Sequence, residues 1–245
     1  MAEPPALRDR LRALTQARVL LGRAGQGLPT RALLDFQLDH ARARDAVHTA
    51  FDPTRVATAL GRPSIAVSSR AADRQEYLTR PDLGRLLRGE DVARLPATGD
   101  TLAIVIADGL SATAVNVHAA PLVAALLARL TDWRIAPIVL ARQGRVALGD
   151  EIGAALGVEL VVVLIGERPG LSAPDSLGAY VTWQPKPGRQ DSERNCVSNI
   201  RPPHGLGYDA AADMIATLLR AARQLRLTGV SLKPGTNALA AESSE

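Results

Sequence analysis

The sequence predicts an α/β protein in which helices cover both faces of a parallel sheet, preceded by a smaller helical domain. From residue 101 onward, unbroken apolar segments of strand length alternate with segments of helical periodicity. This alternation is typical of a parallel sheet that is buried on both faces. Earlier in the chain, apolar residues recur at three- and four-residue spacing, which is typical of amphipathic helices.

The domain organisation follows from this change of pattern. The predicted units are an N-terminal helical region (1–98), a sheet domain (99–233) and a flexible tail (234–245). Two amphipathic helices are predicted at 6–22 and 31–51, and shorter helical pieces are expected after residues 62–64 and at 83–87. The stretch 95–100, Leu-Pro-Ala-Thr-Gly-Asp, is typical of a boundary loop.

The sheet domain is predicted to alternate between strands and helices. Its four predicted strands are residues 102–107, 134–141, 158–166 and 177–183. Its predicted helices are residues 112–130, 147–157 and 208–227. Two polar residues precede the first of these helices, and Ser111 is a better candidate for its N-cap than Asp108.

Three successive predicted strands end in polar loops that contain glycine. These loops are residues 108–111, 142–145 and 166–170. Ligands of open α/β sheets bind outside the carboxyl ends of the strands, so we expect the three loops to line one crevice. Glycine allows a backbone to approach a flat ligand closely, and the charged groups supply directed hydrogen bonds. The sequence therefore predicts a site for a cofactor or another large ligand.

Several classes of protein are excluded by what the sequence lacks. No G-x-G-x-x-G follows the first predicted strand of the sheet domain, and neither a Walker motif nor a G-x-S-x-G elbow occurs. The four histidines are too dispersed for a metal cluster, and the single cysteine excludes an intrachain disulfide. The net charge of +4 comes from scattered arginines, so nucleic-acid binding is not expected. No apolar run is long enough for a membrane span, and a cytoplasmic location is predicted.

Long blocks of the chain resemble one known family, the small subunit of ethanolamine ammonia-lyase. The blocks occur in the family's order and cover most of the chain from about residue 17 to residue 233. They are ARVLLGRAGQGLPTRALLDFQLDHARARDAVH, SRAADRQEYLTRPDLGRLL, IVIADGLSATAV, RQGRVALGDEIGAALG, VVVLIGERPGL and RNCVSNIRPPHGLGYDAAA.

The resemblance implies a function that the residues alone do not name. Members of this family form part of an enzyme that converts ethanolamine to acetaldehyde and ammonia by a radical mechanism with adenosylcobalamin. The small subunit is Rossmann-like and binds the cobalamin, whereas the large subunit holds ethanolamine and most catalytic groups. No catalytic residue and no metal ligand are therefore expected here, and the N-terminal region is expected to contact the large subunit. Some members are expected inside bacterial microcompartments.

The resemblance also implies which residues contact the cofactor. The family's cobalamin-contact positions fall on Val146, Glu167 and Cys196. Val146 would supply apolar contact, Glu167 would accept hydrogen bonds from amide groups of the cofactor, and Cys196, predicted in a loop, would supply packing or its backbone. Further candidates for cofactor binding, chosen by their position in the strand-end loops, are Asp108, Gly144, Arg145 and Arg168.

Each of these residues also has an ordinary structural interpretation. Glu167 and Arg168 could be a surface pair beside a turn, Cys196 a buried structural thiol, and Val146 a packing residue. Three hypotheses follow for the whole chain. It is the cobalamin-binding subunit of a lyase, an independent α/β enzyme, or a cobalamin-free structural or assembly protein that retains the fold.

Overall fold

The computed structural model describes residues 7–15 and 17–232, and within these ranges it contains one six-stranded sheet. The predicted tail, 234–245, lies outside the described residues. The strands are β1 (Ser64–Ser68), β2 (Leu102–Ala107), β3 (Ile138–Arg142), β4 (Leu160–Gly166), β5 (Leu177–Trp183) and β6 (Asn195–Ile200). Their spatial order is β1-β3-β2-β4-β5-β6. The first four strands are parallel to one another, which agrees with the α/β class.

The prediction of a purely parallel sheet is wrong, because β5 is antiparallel to both β4 and β6. The connection between β4 and β5, residues 167–176, contains no helix. A parallel crossover requires about a dozen residues or more and usually a helix, so this shorter connection returns the chain in the opposite direction. The structure therefore has a mixed sheet with a parallel half and an antiparallel half.

Eight α-helices lie within the described residues. They are α1 (Leu7–Ala13), α2 (Thr30–His48), α3 (Pro53–Leu60), α4 (Arg74–Thr79), α5 (Gly89–Val92), α6 (Ala112–Leu127), α7 (Leu148–Leu156) and α8 (Tyr208–Leu225). The predicted N-cap of α6 is confirmed, because Ser111 Oγ accepts a hydrogen bond from the amide of Ala114 at 3.3 Å. None of these helices combines the length and apolar character needed to cross a membrane.

Helices cover both faces of the sheet, as predicted. On β2, Ile104 and Ile106 belong to a core that includes α6 and α8. Val105, which points to the opposite face, belongs to a second core that includes Ile152 of α7. Successive strand residues point to opposite faces, so a strand whose every residue is buried must be covered on both sides.

The N-terminal part of the chain contributes to the same sheet. The helical piece predicted after residues 62–64 is wrong, since residues 64–68 form the edge strand β1, paired with β3. Val67 is buried and Ile65 packs beside it in the second core. β-branched residues at alternate positions suit a strand, and pairing with β3 overrides the helical context of the flanking sequence. A separate N-terminal helical domain is not confirmed.

Candidate functional site

The carboxyl ends of β2, β3 and β4 meet at one edge of the sheet, because β2 lies between the other two strands. The loops that follow them surround an open cleft of about 420 Å³. The cleft is lined by Tyr77, Gly109, Leu110, Arg145, Val146, Ile165, Gly166, Glu167, Arg168 and Tyr180. Four of the seven sequence-predicted site residues, Val146, Glu167, Arg145 and Arg168, therefore line the same cleft.

Asp108 lies beneath the cleft and joins two of its loops. Its Oδ2 accepts a hydrogen bond from the amide of Gln143, and its Oδ1 accepts one from the amide of Gly144, both at 3.0 Å. Burial raises the pKa of Asp108, while the two amides and the guanidinium of Arg74 act in the opposite direction. Asp108 is only 4% exposed and does not line the cleft. Its carboxylate acts by holding the loop after β3 in place through the two amides.

We expect Asp108→Asn to lower the free energy of unfolding by about 1–3 kcal/mol. An amide side chain has one acceptor oxygen, so one of the two backbone amides would face an NH₂ group and lose its acceptor. Urea unfolding of the variant measures the loss. Asp132→Asn, at an exposed position, is the control, and equal stability of the two variants would contradict the role assigned to Asp108.

Three glycines of these loops, Gly109, Gly144 and Gly166, serve close approach between segments of this chain. A Cβ at Gly166 would lie 2.0 Å from the carbonyl oxygen of Ser111, and one at Gly109 would lie 2.2 Å from the carbonyl oxygen of Gly166. A Cβ at Gly144 would lie 2.9 Å from the Cβ of Ala107. The expectation that these glycines make room for a ligand is therefore replaced by a packing role, because protein atoms already occupy the space.

Tyr77 connects the N-terminal part of the chain to the cleft. Its side chain is fully buried, and its hydroxyl donates a hydrogen bond to the carbonyl of Gly144 at 3.1 Å. The guanidinium carbons of Arg145 and Arg74 lie 4.2 Å and 4.8 Å from the centre of its ring, so the ring is in cation–π contact with both. The Nε of Arg145 is buried and has no hydrogen-bond partner among the described residues.

Glu167 is bound by hydroxyl groups rather than by its neighbour Arg168. The hydroxyl of Ser176 donates to Oε2 and the hydroxyl of Ser198 donates to Oε1. The amide of Asn199 donates to Oε2 at 3.3 Å. Arg168 is exposed at the mouth of the cleft. The cleft therefore contains a half-buried, oriented carboxylate, Glu167, next to an exposed guanidinium, Arg168.

Cys196 reaches the site through Tyr180. The prediction that Cys196 lies in a loop is wrong, because the residue belongs to β6 and pairs with Tyr180 of β5. The thiol and the Tyr180 hydroxyl are hydrogen bonded. Desolvation, together with the charge of Glu167, raises the pKa of Cys196, so the thiol stays protonated at neutral pH. Cys196 is exposed, so the interpretation as a buried thiol is not supported, and it lies on the strand next to Tyr180, which lines the cleft.

Sequence reasoning missed the residues that orient the site. Tyr77 and Ser198 lie within the sequence blocks quoted above and Ser176 and Tyr180 lie outside them, but none gave a local signal. Each acts through a partner nine or more residues away in the chain. In residues 7–15 and 17–232, no group of three or more His, Cys, Asp or Glu side chains is placed to hold a metal ion.

Comparisons with known proteins agree with the resemblance found in the sequence. The family model described as ethanolamine ammonia-lyase light chain (EutC) matches residues 6–233. Proteins named ethanolamine ammonia-lyase small subunit are similar along nearly the whole chain. The Bradyrhizobium diazoefficiens protein is 59% identical over 91% of this chain and 88% of its own length. The Rhodopseudomonas palustris protein is 57% identical over 93% and 90%.

A more distant relative extends the match to the full length. The Pseudomonas fluorescens protein of the same name is 48% identical over 100% of this chain and 95% of its own length. Identity of this extent is shared by proteins of one family and confirms the resemblance stated from the sequence blocks. This chain therefore belongs to the ethanolamine ammonia-lyase light-chain family and is one subunit of a lyase.

Proposed function

We propose that this chain binds adenosylcobalamin at the cleft beyond β2, β3 and β4 and holds it against the large subunit of ethanolamine ammonia-lyase. The observation that carries the proposal is an oriented carboxylate, Glu167, beside the apolar Val146 in a cleft at the carboxyl edge of the sheet. When bound, the cofactor supplies the radical chemistry that converts ethanolamine to acetaldehyde and ammonia. The large subunit supplies the ethanolamine site and most of the catalytic groups.

The side chains around the cleft fit such a cofactor. A carboxylate has about four lone-pair sites, so Glu167 retains acceptor capacity after binding two hydroxyls and an amide. That capacity suits the amide groups around a corrin ring. Val146 supplies apolar contact, and the unpartnered Nε of Arg145 supplies a donor.

The other predicted site residues have supporting roles in this proposal. Arg168, exposed at the mouth of the cleft, is a second donor. Cys196 is exposed beside Tyr180, its partner on the neighbouring strand. Asp108 and Gly144 hold the loop that carries Arg145 and Val146 in place.

The open shape of the cleft supports a shared site. A cobalamin is far larger than a cleft of about 420 Å³, so this chain can cover only part of the cofactor. A small molecule that binds tightly usually has most of its surface buried, and a second surface must cover the rest. This favours a binding site completed by the partner subunit.

The N-terminal part of the chain carries an apolar surface suited to that partner. Large apolar side chains are exposed on α1, on α2 and between them, with Leu14 82% and Leu34 58% exposed. The others are Leu7, Leu11, Leu20, Leu28, Leu33, Phe36 and Leu38. Clustered exposed apolar residues are typical of protein interfaces. We propose that this surface, within the N-terminal region 1–98, contacts the large subunit.

Two broader predictions belong to the same proposal. The parallel strands β1-β3-β2-β4, with helices on both faces, support a Rossmann-like description of residues 99–233 together with β1. A cytoplasmic location is proposed for the assembled enzyme, and packaging inside a bacterial microcompartment is the alternative.

Co-expression with the large subunit tests the proposal. Ammonia release from ethanolamine should require both chains and adenosylcobalamin, and neither chain alone should be active. An assembled pair without cobalamin-dependent activity would favour the alternative, a cobalamin-free structural or assembly protein. Activity of this chain alone would favour an independent enzyme.

We expect Glu167→Gln to weaken binding of cobalamin to the two-chain complex about tenfold, because charge-assisted hydrogen bonds are roughly twice as strong as neutral ones. Absorbance titration measures the dissociation constant. Glu159→Gln is a matched control, because both glutamates flank β4. Glu159 lies at the amino end of this strand, away from the cleft, and Glu167 lies at its carboxyl end. Equal affinity of the two variants would contradict the assignment of Glu167.

A further inference from the structure

We infer that an ion pair outside the cleft, Asp175 with Arg201, positions the Glu167 carboxylate for cofactor binding. The inference rests on the proposed function and deepens it. Neither Asp175 nor Arg201 lines the cleft, so both act through other residues. They are positioning residues, and their effect reaches Glu167 through the two chain segments that bind it.

The first of these segments is residues 174–176, at the end of the connection between β4 and β5. The carbonyl of Pro174 accepts a hydrogen bond from Ser111 Oγ at 2.8 Å. Asp175 Oδ1 accepts from Arg201 Nε at 2.9 Å. The buried Ser176 donates its hydroxyl to Glu167, and its carbonyl accepts from the Glu167 amide at 2.9 Å. The segment is therefore attached at each of its three residues.

The second segment is the end of β6. Ser198 and Asn199 donate to the Glu167 carboxylate from its other side. Arg201 follows directly after β6 and is 8% exposed. Its contact with Asp175 thus joins the two segments that donate to Glu167. Leu177 pairs with Ile200 in the sheet beside these segments, and the ion pair adds a side-chain link that keeps both sets of donors at a constant separation.

His118 supports Asp175 from the helical layer. Its Nε2 lies 3.5 Å from Asp175 Oδ2, and its Nδ1 lies 2.8 Å from the Tyr208 hydroxyl. Only 3% of His118 is exposed, and burial lowers its pKa, so the ring is neutral at pH 7. Nδ1 is therefore paired with Tyr208, whereas the buried Nε2 has no hydrogen-bond partner among the described residues. His118 thus packs against Asp175 from α6 without a hydrogen bond, and Arg201 supplies the directed contact.

The consequence for binding is preorganisation. A free glutamate side chain has several rotamers, and ordering it on binding weakens affinity. Here both carboxylate oxygens are bound before any ligand arrives. We therefore expect loss of the Asp175–Arg201 pair to let segment 174–176 move away from Glu167. The carboxylate would then be less well ordered, and its contribution to cobalamin affinity would fall.

A double-mutant cycle on the two-chain complex tests the inference. Asp175→Ala should weaken cobalamin binding about fivefold in the wild-type background and less than about twofold in a Glu167→Gln background. Absorbance titration with hydroxocobalamin measures each dissociation constant, so the readout does not depend on turnover. Asp175→Asn, whose side-chain oxygen still accepts from Arg201, should retain most of the wild-type affinity.

Three further variants complete the design. Asp213→Ala is the matched control, because Asp213 also pairs with an arginine, Arg129, on the α6–α8 surface. It should leave cobalamin affinity unchanged. Ser176→Ala keeps the Asp175–Arg201 pair and removes the hydroxyl that reaches Glu167, so its non-additivity with Glu167→Gln tests the last contact of the first segment. Arg201→Met removes the pair from its other member and should show the same non-additivity as Asp175→Ala if that variant fails to assemble.

The outcomes separate the inference from the proposed function. Equal losses in the wild-type and Glu167→Gln backgrounds would show that Asp175 acts on general stability, and would overturn the inference alone. An assembled wild-type complex that binds no cobalamin would overturn the proposed function and the inference together.

Discussion

Removal of either member of the Asp150–Arg194 pair is expected to lower the free energy of unfolding by about 3–5 kcal/mol. The side chains of both residues are 2% exposed. Two parallel hydrogen bonds join them, from Arg194 Nη1 to Asp150 Oδ1 at 2.7 Å and from Nη2 to Oδ2 at 2.6 Å. Arg194 also donates to Thr182 at 3.0 Å. Loss of Arg194 leaves Asp150 as a buried charge without its partner, and loss of Asp150 leaves Arg194 with only the exposed Asp191 at 3.6 Å, which is the source of the expected cost.

Urea unfolding of Asp150→Asn and Arg194→Met measures this cost. The double variant Asp150→Leu with Arg194→Met should be more stable than either single charge removal, because a buried ion pair can often be replaced by packed apolar groups. Arg80→Met is the control, since the Arg80–Asp82 pair is solvent-exposed and should contribute little. Unfolding of the single variants at the wild-type urea concentration would contradict the prediction.

Gly166→Ala is expected to destabilise the protein by about 3 kcal/mol or more and to distort the cleft. The new Cβ would lie 2.0 Å from the Ser111 carbonyl oxygen and 2.5 Å from that of Asp108. Both neighbours are backbone atoms, so no side-chain rotation relieves the overlap. The loop after β2 would have to move away from the end of β4, and with it the N-cap of α6.

Gly170→Ala in the same connection is the matched control. The nearest atom to a Cβ at Gly170 is 3.8 Å away, which is ordinary van der Waals contact. Thermal unfolding of the two variants should therefore differ widely, and cobalamin titration of the assembled complexes should show loss of affinity for Gly166→Ala alone. Similar behaviour of the two variants would contradict the packing role assigned to Gly166.

Much of the fold was predictable because its signals are local. Strands β2, β4 and β5 coincide with continuous apolar segments, and α6 begins directly after a serine that caps it. The hydrophobic pattern and the capping residues depend on only a few neighbouring positions in the chain. Strands and helices can therefore be predicted from them without knowing which segments pack together in the fold. The short connection 167–176 was also a local signal for the antiparallel β5, which the prediction of a parallel sheet overlooked.

The candidate site also has a part that the sequence predicts and a part that it does not. The loops after the apolar strands marked one edge of the sheet, and the family resemblance, confirmed by relatives 48–59% identical, pointed to Glu167 and Val146. Their surroundings could not be predicted, because Ser198 and Tyr77 lie far from Glu167 and Arg145 in the chain. Only the sheet order brings such residues together.

By itself, the sequence determined the α/β class, the apolar strands, the helices on both faces and the family. Tertiary structure alone decided that residues 64–68 and 195–200 are edge strands, since short segments of that kind become strands by pairing with a neighbour. It also decided that Gly109, Gly144 and Gly166 serve chain packing and that hydroxyls, not Arg168, orient Glu167. The physical reason is that register, close approach and hydrogen-bond partners are properties of pairs of segments, whereas composition and periodicity belong to one segment at a time.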